Sequence, residues 1–263
     1  MMGREPAPAT ADDRPPLLEG RGLHKWYGGL AALKQIDIDV HTGEMVGVVG
    51  PNGSGKTTLF DCLTGMEALN EGRVLFKGND ITGTKPHRLA RMGLSRTFQG
   101  IRVYRKLTVL ENMLLSRDWA GERLPHLLRP SAADTKERAG DLLEFLTLAG
   151  HRGEPAGSLS WGQQRLLEIG MVLMPDPDLL LLDEATSGVN PALVELIKER
   201  ILALNRTEGK TFLMIEHNID VVADLCDRVM VLDYGEALAE GTVDAVFQNP
   251  AVIEAYLGNH DPA

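Results

Sequence analysis

"GPNGSGKTT", residues 50–58, joins a β-branched run, "EMVGVVG" (44–50), to "KTTLFDCLTGM", where Leu59, Leu63 and Met66 recur at helical spacing. That order is strand, tight loop, helix. The loop satisfies G-x-x-x-x-G-K-[ST] in full, with Gly50, Gly55, Lys56 and Thr57 at the diagnostic places. Gly53 and Gly55 permit backbone conformations that turn successive N–H groups inward around phosphate oxygens. The helix opening near Lys56 adds its positive dipole end. In such a loop the lysine reaches the β and γ phosphates and the Thr57 hydroxyl ligates Mg²⁺. Gly50, Pro51, Asn52, Gly53, Ser54, Gly55, Lys56, Thr57 and Thr58 are therefore the expected nucleotide cradle.

A phosphate loop of this kind needs an acid at the end of a neighbouring buried strand. "LLLLDEATSG" (179–188) offers two, Asp183 and Glu184, directly after four leucines. Burying a charge is costly unless something pairs with it, so a strand ending in two acids demands a partner. Side chains alternate across a strand, which sends the two carboxylates in different directions. Asp183 is expected to support the magnesium shell, and Glu184 to face the attacking water.

The bulk of the chain is that of a globular protein. Its 263 residues are 43% hydrophobic and 24% charged, with 27 Lys plus Arg against 37 Asp plus Glu, a formal charge of −10. An acidic balance argues against a nucleic-acid binder, whose footprint is basic. Cys62 and Cys226 are far apart in apolar surroundings and read as buried thiols of a reducing compartment. Residues 1–16, rich in Pro and Ala, lack an apolar core of signal-peptide type and are expected to form a disordered tail. No stretch approaches the ~20 apolar residues of a spanning helix, so a soluble protein anchored by other chains is expected.

Strand signals recur at "GRVLFKGNDI", at 178–184, 211–217 and 228–241, and a short helix then a strand at "PHRLARMGLSRTFQ". Runs such as "LLLLD" and "FLMIE" fit parallel strands covered on both faces. From about 107 to 174 the texture becomes helical, with "LTVLENMLLS", "AADTKERAGDLLEFLTL" and "GQQRLLEIGMVLM" joined by the weaker "RDWAGERLPHLLRPS". A helix from about 191 to 205 opens on Pro191, and two short helices close the chain. The pattern is α/β with a helical insert.

In this order the motifs resemble those of the ATPase subunit of ATP-binding cassette (ABC) transporters, from about residue 18 onward. "GPNGSGKTT" is similar to the Walker A loop and "LLLLDE" to the Walker B strand. "LSWGQQ" (159–164), between them, resembles the signature motif. "RTFQG" supplies a Q-loop glutamine, Gln99; "SGVNP" (187–191) resembles the D-loop; and "IEH" ends at a switch histidine, His217. "HKWYGG" puts Tyr27 where the family stacks an aromatic ring on adenine, with Trp26 beside it as a competitor. The resemblance implies a P-loop NTPase (RecA-like) core with an antiparallel β subdomain and an inserted α-helical subdomain at about 107–174, all within 17–263. It implies a Mg-dependent ATPase in which Glu184, His217, Lys56 and Gln99 act in catalysis and Thr57, Gln99 and Asp183 serve the metal.

Each carried role has its own chemistry. Gln99 follows a strand and precedes "GIRVYRKLTVLENM", an apolar and basic segment that the family presents to its membrane partner. Taken singly, a glutamine there is more often merely solvated, as His217 is more often structural. In "LSWGQ", Ser160 offers a hydroxyl, Gly162 an unobstructed N–H and the next helix its positive end, a second anion site. Ser160 alone could equally be a helix cap. The family implies that Ser160, Gly162 and Gln163 meet the γ-phosphate of ATP on the opposite subunit of a head-to-tail dimer.

Three positions depart from the usual pattern. Trp161 replaces a glycine, Ala185 stands where proline follows the acidic pair, and Asn190 takes the D-loop aspartate position. "GLAALKQIDIDV", "RMGLSRTFQGIRVYRKLTVLENM" and "AVIEAYLG" are most similar to the longer ATPase of branched-chain amino acid importers, whose relatives carry urea, amides and other small acids. The implied partners are a second ATPase, two permeases and, indirectly, a periplasmic or extracellular binding protein, with the chain peripheral at the cytoplasmic membrane face and no nucleic acid. The rival is a soluble ABC ATPase of DNA repair or translation, whose tandem cassettes, coiled coils or zinc motifs are not visible.

Overall fold

The leucine run that ends at Asp183 forms strand β7 (Leu179–Asp183), every residue of it buried. Its side chains divide by parity. Leu179 and Leu181 enter one apolar core, Leu180 and Leu182 the other. The neighbouring strands divide in the same way: β3 (Met45–Val49) and β8 (Thr211–Ile215) send alternate residues to each core. Two covered faces explain why these strands read as unbroken apolar runs. Each buried leucine contributes roughly 1.5–3 kcal/mol. The computed structural model describes residues 16–97, 100–117 and 132–257.

These strands lie in a six-stranded sheet of order β10-β9-β3-β8-β7-β6, completed by β6 (Leu94–Arg96), β9 (Arg228–Asp233) and β10 (Glu236–Gly241). All pairings are parallel except β9 with β10. A second sheet, order β2-β1-β4-β5, is antiparallel and comprises β1 (Pro16–Tyr27), β2 (Leu30–His41), β4 (Glu71–Phe76) and β5 (Asn79–Asp80). One core lies between this sheet and the large one, and includes Leu59, Phe60 and Leu63 of α1 (Lys56–Leu63) and Leu89 of α2 (Pro86–Met92). Pro16 opens β1, so the expected tail is one residue too long there; residues 1–15 lie outside the described residues.

The other core is roofed by helices. α3 (Val109–Arg117), α4 (Ala132–Phe145) and α5 (Trp161–Leu173) pack on one another, as the helical texture predicts. Thr108 starts α3 with a reciprocal cap: its hydroxyl accepts from Glu111 N (3.1 Å) and its N–H donates to Glu111 (2.7 Å). Most of the expected connection between α3 and α4 lies outside the described residues. α6 (Pro191–Glu208) runs three residues beyond expectation and stops at Gly209, whose φ of 66° suits glycine. α7 (Ile219–Leu225) is a helix that periodicity does not reveal, being only seven residues long. α8 (Val243–Phe247) and α9 (Pro250–Leu257) are the two closing helices.

No helix among the described residues is long and apolar enough to cross a membrane. Both thiols are buried, and burial pushes the Cys62 thiol up to about 11. A thiol-disulfide reagent at pH 8 is expected to leave Cys62 unmodified in the native chain and to react with it promptly in denaturant. Equal rates in both states would contradict its burial.

Candidate functional site

β3, β8 and β7 are parallel neighbours, so their C-terminal ends share the edge of the large sheet where the phosphate loop begins. β3 runs into Gly50, which has φ 144° and comes so close to β9 that an added Cβ would lie 2.0 Å from the Leu232 carbonyl oxygen. Gly53 (φ 80°) and Gly55 (φ 105°) share the left-handed half of backbone space. Gly50→Ala is therefore expected to lose about 1–3 kcal/mol of stability and its nucleotide affinity together. Denaturant unfolding and nucleotide titration check both.

Lys56 is buried at the first position of α1. Its Nζ donates to the carbonyls of Gly50 (2.8 Å) and Pro51 (2.7 Å), so the ammonium sits inside the curl of the loop. Burial lowers its pKa, while Glu184 and Asp183 pull it back up. Asn52, Gly53 and Thr57 are exposed; Pro51, Gly55 and Thr58 are half-buried; Ser54 is buried.

The two acids do diverge, but not through strand alternation. β7 ends at Asp183, and Glu184 turns into the left-handed region with φ 49°. That conformation costs an L residue about 1–2 kcal/mol, a strain that calls for ties holding it. Asp183 is 1% exposed and its Oδ2 accepts from Arg96 Nη2 at 2.9 Å. Its N–H donates to the Thr97 hydroxyl at 2.9 Å. Burial raises the Asp183 pKa, and Arg96 opposes the rise. Glu184 Oε1 instead lies 2.8 Å from His217 Nε2, beyond the end of β8.

Asp183 Oδ1 is buried and has no hydrogen-bond partner among the described residues. An orphaned carboxylate oxygen beside a phosphate loop fits a place in a magnesium shell. No cluster of three or more His, Cys, Asp or Glu that could hold a metal occurs among the described residues. Magnesium at a nucleotide needs no such cluster, since phosphates and waters fill most of its octahedron.

Tyr27 and Trp26 separate clearly. Tyr27 is 44% exposed and carries Lys25 Nζ 4.8 Å from its ring centroid; burial raises its pKa, and the Thr58 side chain of the loop opposes the rise. Trp26 stacks on His24 at 5.2 Å. The ring beside the loop is Tyr27. Gln99 lies outside the described residues.

The signature segment stands apart from the loop. Ser160 caps α5 reciprocally with Gln163: its hydroxyl accepts from Gln163 N (3.3 Å) and its N–H donates to Gln163 Oε1 (2.9 Å). Gln163 Nε2 lies 3.1 Å from His151 Nε2. These hydrogen bonds stay within residues 151–164, and none reaches residues 50–58. Gly162 is buried against α6, where an added Cβ would meet Leu193 Cδ2 at 1.9 Å.

The departures find structural places. Trp161 is half-exposed, its Nε1 3.4 Å from where a Cβ on Gly188 would be. Ala185 is buried in the helical-side core. Asn190 caps α6, its Oδ1 accepting from Leu193 N at 3.0 Å.

Sequence reading missed four buried charges around these motifs. Arg96 on β6 bridges Asp183 to Asp61 on α1, at 2.9 and 2.5 Å. Arg165 and Glu168 pair within α5 at 2.6 Å. Glu216, next to His217, accepts from the Thr186 N–H (3.1 Å) and hydroxyl (3.0 Å); burial raises its pKa and the Thr186 bonds oppose it. The one available signal was a charged residue at the tip of an apolar strand, as in "SRTFQ" and "IEH". A cleft of about 1340 Å³, whose lining includes Arg96 and Glu168, lies between α2 and β6 on one side and α3 and α5 on the other, with Arg102, Tyr104, Leu115 and Met171 along it.

Comparison with known proteins agrees with this geometry. Residues 33–187 match the family described as ABC transporter, and residues 238–262 match one described as branched-chain amino acid ATP-binding cassette transporter. The probable branched-chain amino acid transport ATP-binding protein LivG of Archaeoglobus fulgidus is 39% identical over 249 residues, 93% of this chain and 96% of that protein. The high-affinity branched-chain amino acid transport ATP-binding protein LivG of Escherichia coli is 36% identical over 250 residues, 92% and 98% of the two chains. A crystal structure of the ADP conformation of an ATP-binding cassette of an ABC transporter superposes with a TM-score of 0.83 at 37% identity, covering 93% of this chain and 100% of that one. The phosphate loop, the buried acid strand and the inserted helices are thus those of a P-loop NTPase, and the chain belongs to the ABC transporter ATP-binding family.

Proposed function

We propose that the chain is the ATP-hydrolysing subunit of an importer for branched-chain amino acids or a related amino acid, amide or urea. The observation that supports it most is the convergence of Lys56, Asp183 and the Glu184–His217 pair at one end of the sheet. Full-length likeness to importer cassettes leaves the DNA-repair or translation alternative without support. Residues 17–263 form one ABC ATPase domain in this reading, with about 107–174 as its helical subdomain.

ATP binds with its phosphates against the N–H groups of residues 50–58 and its adenine against Tyr27. Lys56 and the loop amides stabilise charge that grows on the transferred phosphoryl group. Thr57, Asp183 and Gln99 would hold Mg²⁺, which when bound offsets the charge of the phosphates. Glu184 polarises the attacking water, and His217 holds the Glu184 carboxylate and the γ-phosphate side of the site. Ser160, Gly162 and Gln163 complete the site of a second ATPase subunit, homologous or identical, in a head-to-tail dimer.

Closure of that dimer moves two permeases, docked in the cleft that Tyr104 and Leu115 line, and ATP drives it only by favouring the closed form. The chain then sits on the cytoplasmic membrane face, and a solute-binding protein works on the far side. The experiment is ATP turnover by the chain purified with its permeases. Leucine, isoleucine or valine, presented on the binding protein, is expected to raise turnover. Stimulation by urea or an amide alone would reassign the solute; no stimulation by any solute would contradict the importer reading.

A further inference from the structure

We infer that Arg165 is a positioning residue for Glu184, tying the signature helix α5 to the carboxylate that faces the attacking water; this rests on the reading of Glu184 given above. Arg165 is 1% exposed and among the largest fully buried side chains of the described residues. Glu168, one turn along α5, holds its Nη1 at 2.6 Å. That pair alone would neutralise the buried charge. The other arm of the guanidinium leaves the helix and donates to the Glu184 carbonyl at 3.1 Å.

The turn after β7 is tied elsewhere as well. Glu184 N donates to the Ile215 carbonyl of β8 at 2.9 Å. Thr186 is gripped by Glu216, 5% exposed and adjacent to His217. Glu184 thus has its N–H fixed by one element and its C=O by another, across a left-handed φ of 49°. Two fixed backbone ends set where the side chain emerges. The planar fork of arginine reaches its two acceptors from two separate nitrogens, whereas lysine gathers all its donors on one. Because Ser160 caps α5, a displacement of the signature segment reaches Glu184 through one side chain.

A merely structural pair would show itself differently. The paired variant R165M/E168L replaces two buried charges by apolar groups, an exchange that folds tolerate. It is expected to unfold near the wild-type midpoint and keep KM for ATP within about twofold, while kcat falls about 100-fold, the scale of an ångström-sized misplacement. R165K, which keeps the charge but not the fork, is expected to lower kcat as well. In R165K the His217 imidazole resonances are expected to move, since Glu184 Oε1 lies 2.8 Å from that ring. Added to Glu184→Gln, R165M/E168L is expected to cost nothing further. Near-wild-type kcat in the folded pair variant, unmoved His217 resonances, or losses that multiply with Glu184→Gln would each overturn the inference. Wild-type turnover in Glu184→Gln alone is a different failure, that of the base itself, and is read from that variant by itself.

Discussion

Glu184→Gln is expected to bind ATP with wild-type affinity and to lose steady-state hydrolysis by about 100- to 10,000-fold, the range of a general base. The substitution is nearly isosteric, so the turn at φ 49° and the contact toward His217 have no steric reason to change. What disappears is the ability to accept a proton from water. Lys56 keeps both of its loop carbonyls, so the phosphate cradle stays formed. With binding intact and hydrolysis blocked, ATP is expected to accumulate the closed dimer. Phosphate release and light scattering with and without ATP measure the two halves. Wild-type turnover in this variant would remove Glu184 from the chemistry and leave His217 as the remaining candidate.

Arg96→Met is expected to cost about 3–5 kcal/mol, because it strands a buried carboxylate rather than deleting a pair. The Arg96 side chain is 7% exposed and holds Asp61 and Asp183 from one guanidinium, with Thr64 Oγ1 at 3.2 Å as a third acceptor. Its removal takes the donor from Asp183 Oδ2, while Oδ1 already lacks one. The sign of the pH dependence follows. Burial already raises the Asp183 pKa in the folded chain, with Arg96 opposing the rise. Losing Arg96 raises it further. A carboxyl whose folded pKa exceeds its unfolded value takes up protons on folding, so its penalty shrinks as pH falls through that range. The deficit of Arg96→Met is therefore expected to be larger at pH 8 than at pH 5.5 in denaturant unfolding. A pH-independent deficit would place the loss in packing against Phe60, whose ring centroid lies 5.6 Å from the guanidinium carbon.

The phosphate loop was legible because its chemistry is local. Glycine spacing, one lysine and one threonine suffice, and flanking periodicity places them between a strand and a helix. The acid strand was legible for a related reason, since two acids after four leucines call for charged or hydrogen-bonding partners. Its geometry was not. Alternation gives Asp183 its side, but Glu184 turns by a left-handed residue that no pattern of apolar positions encodes. Arg96 meets Asp183 only because β6 lies beside β7, a pairing between residues 87 positions apart. Arg165 and Glu216 converge on the Glu184–Thr186 turn by the same long-range route. That Gly162 packs against Leu193 of α6 is likewise a long-range fact that sequence does not show. Asn190 and Ala185, odd as departures from a motif, are ordinary as a helix cap and a core residue.

The central claim is that ATP consumed at this site drives solute inward. It is tested most directly by uptake of a labelled branched-chain amino acid into vesicles holding the assembled transporter, with ATP at the face carrying this chain. Uptake is expected to require ATP and to fall to background when Glu184→Gln replaces the wild-type chain. Undiminished ATP-dependent uptake with that variant, or uptake that proceeds equally without ATP, would contradict it.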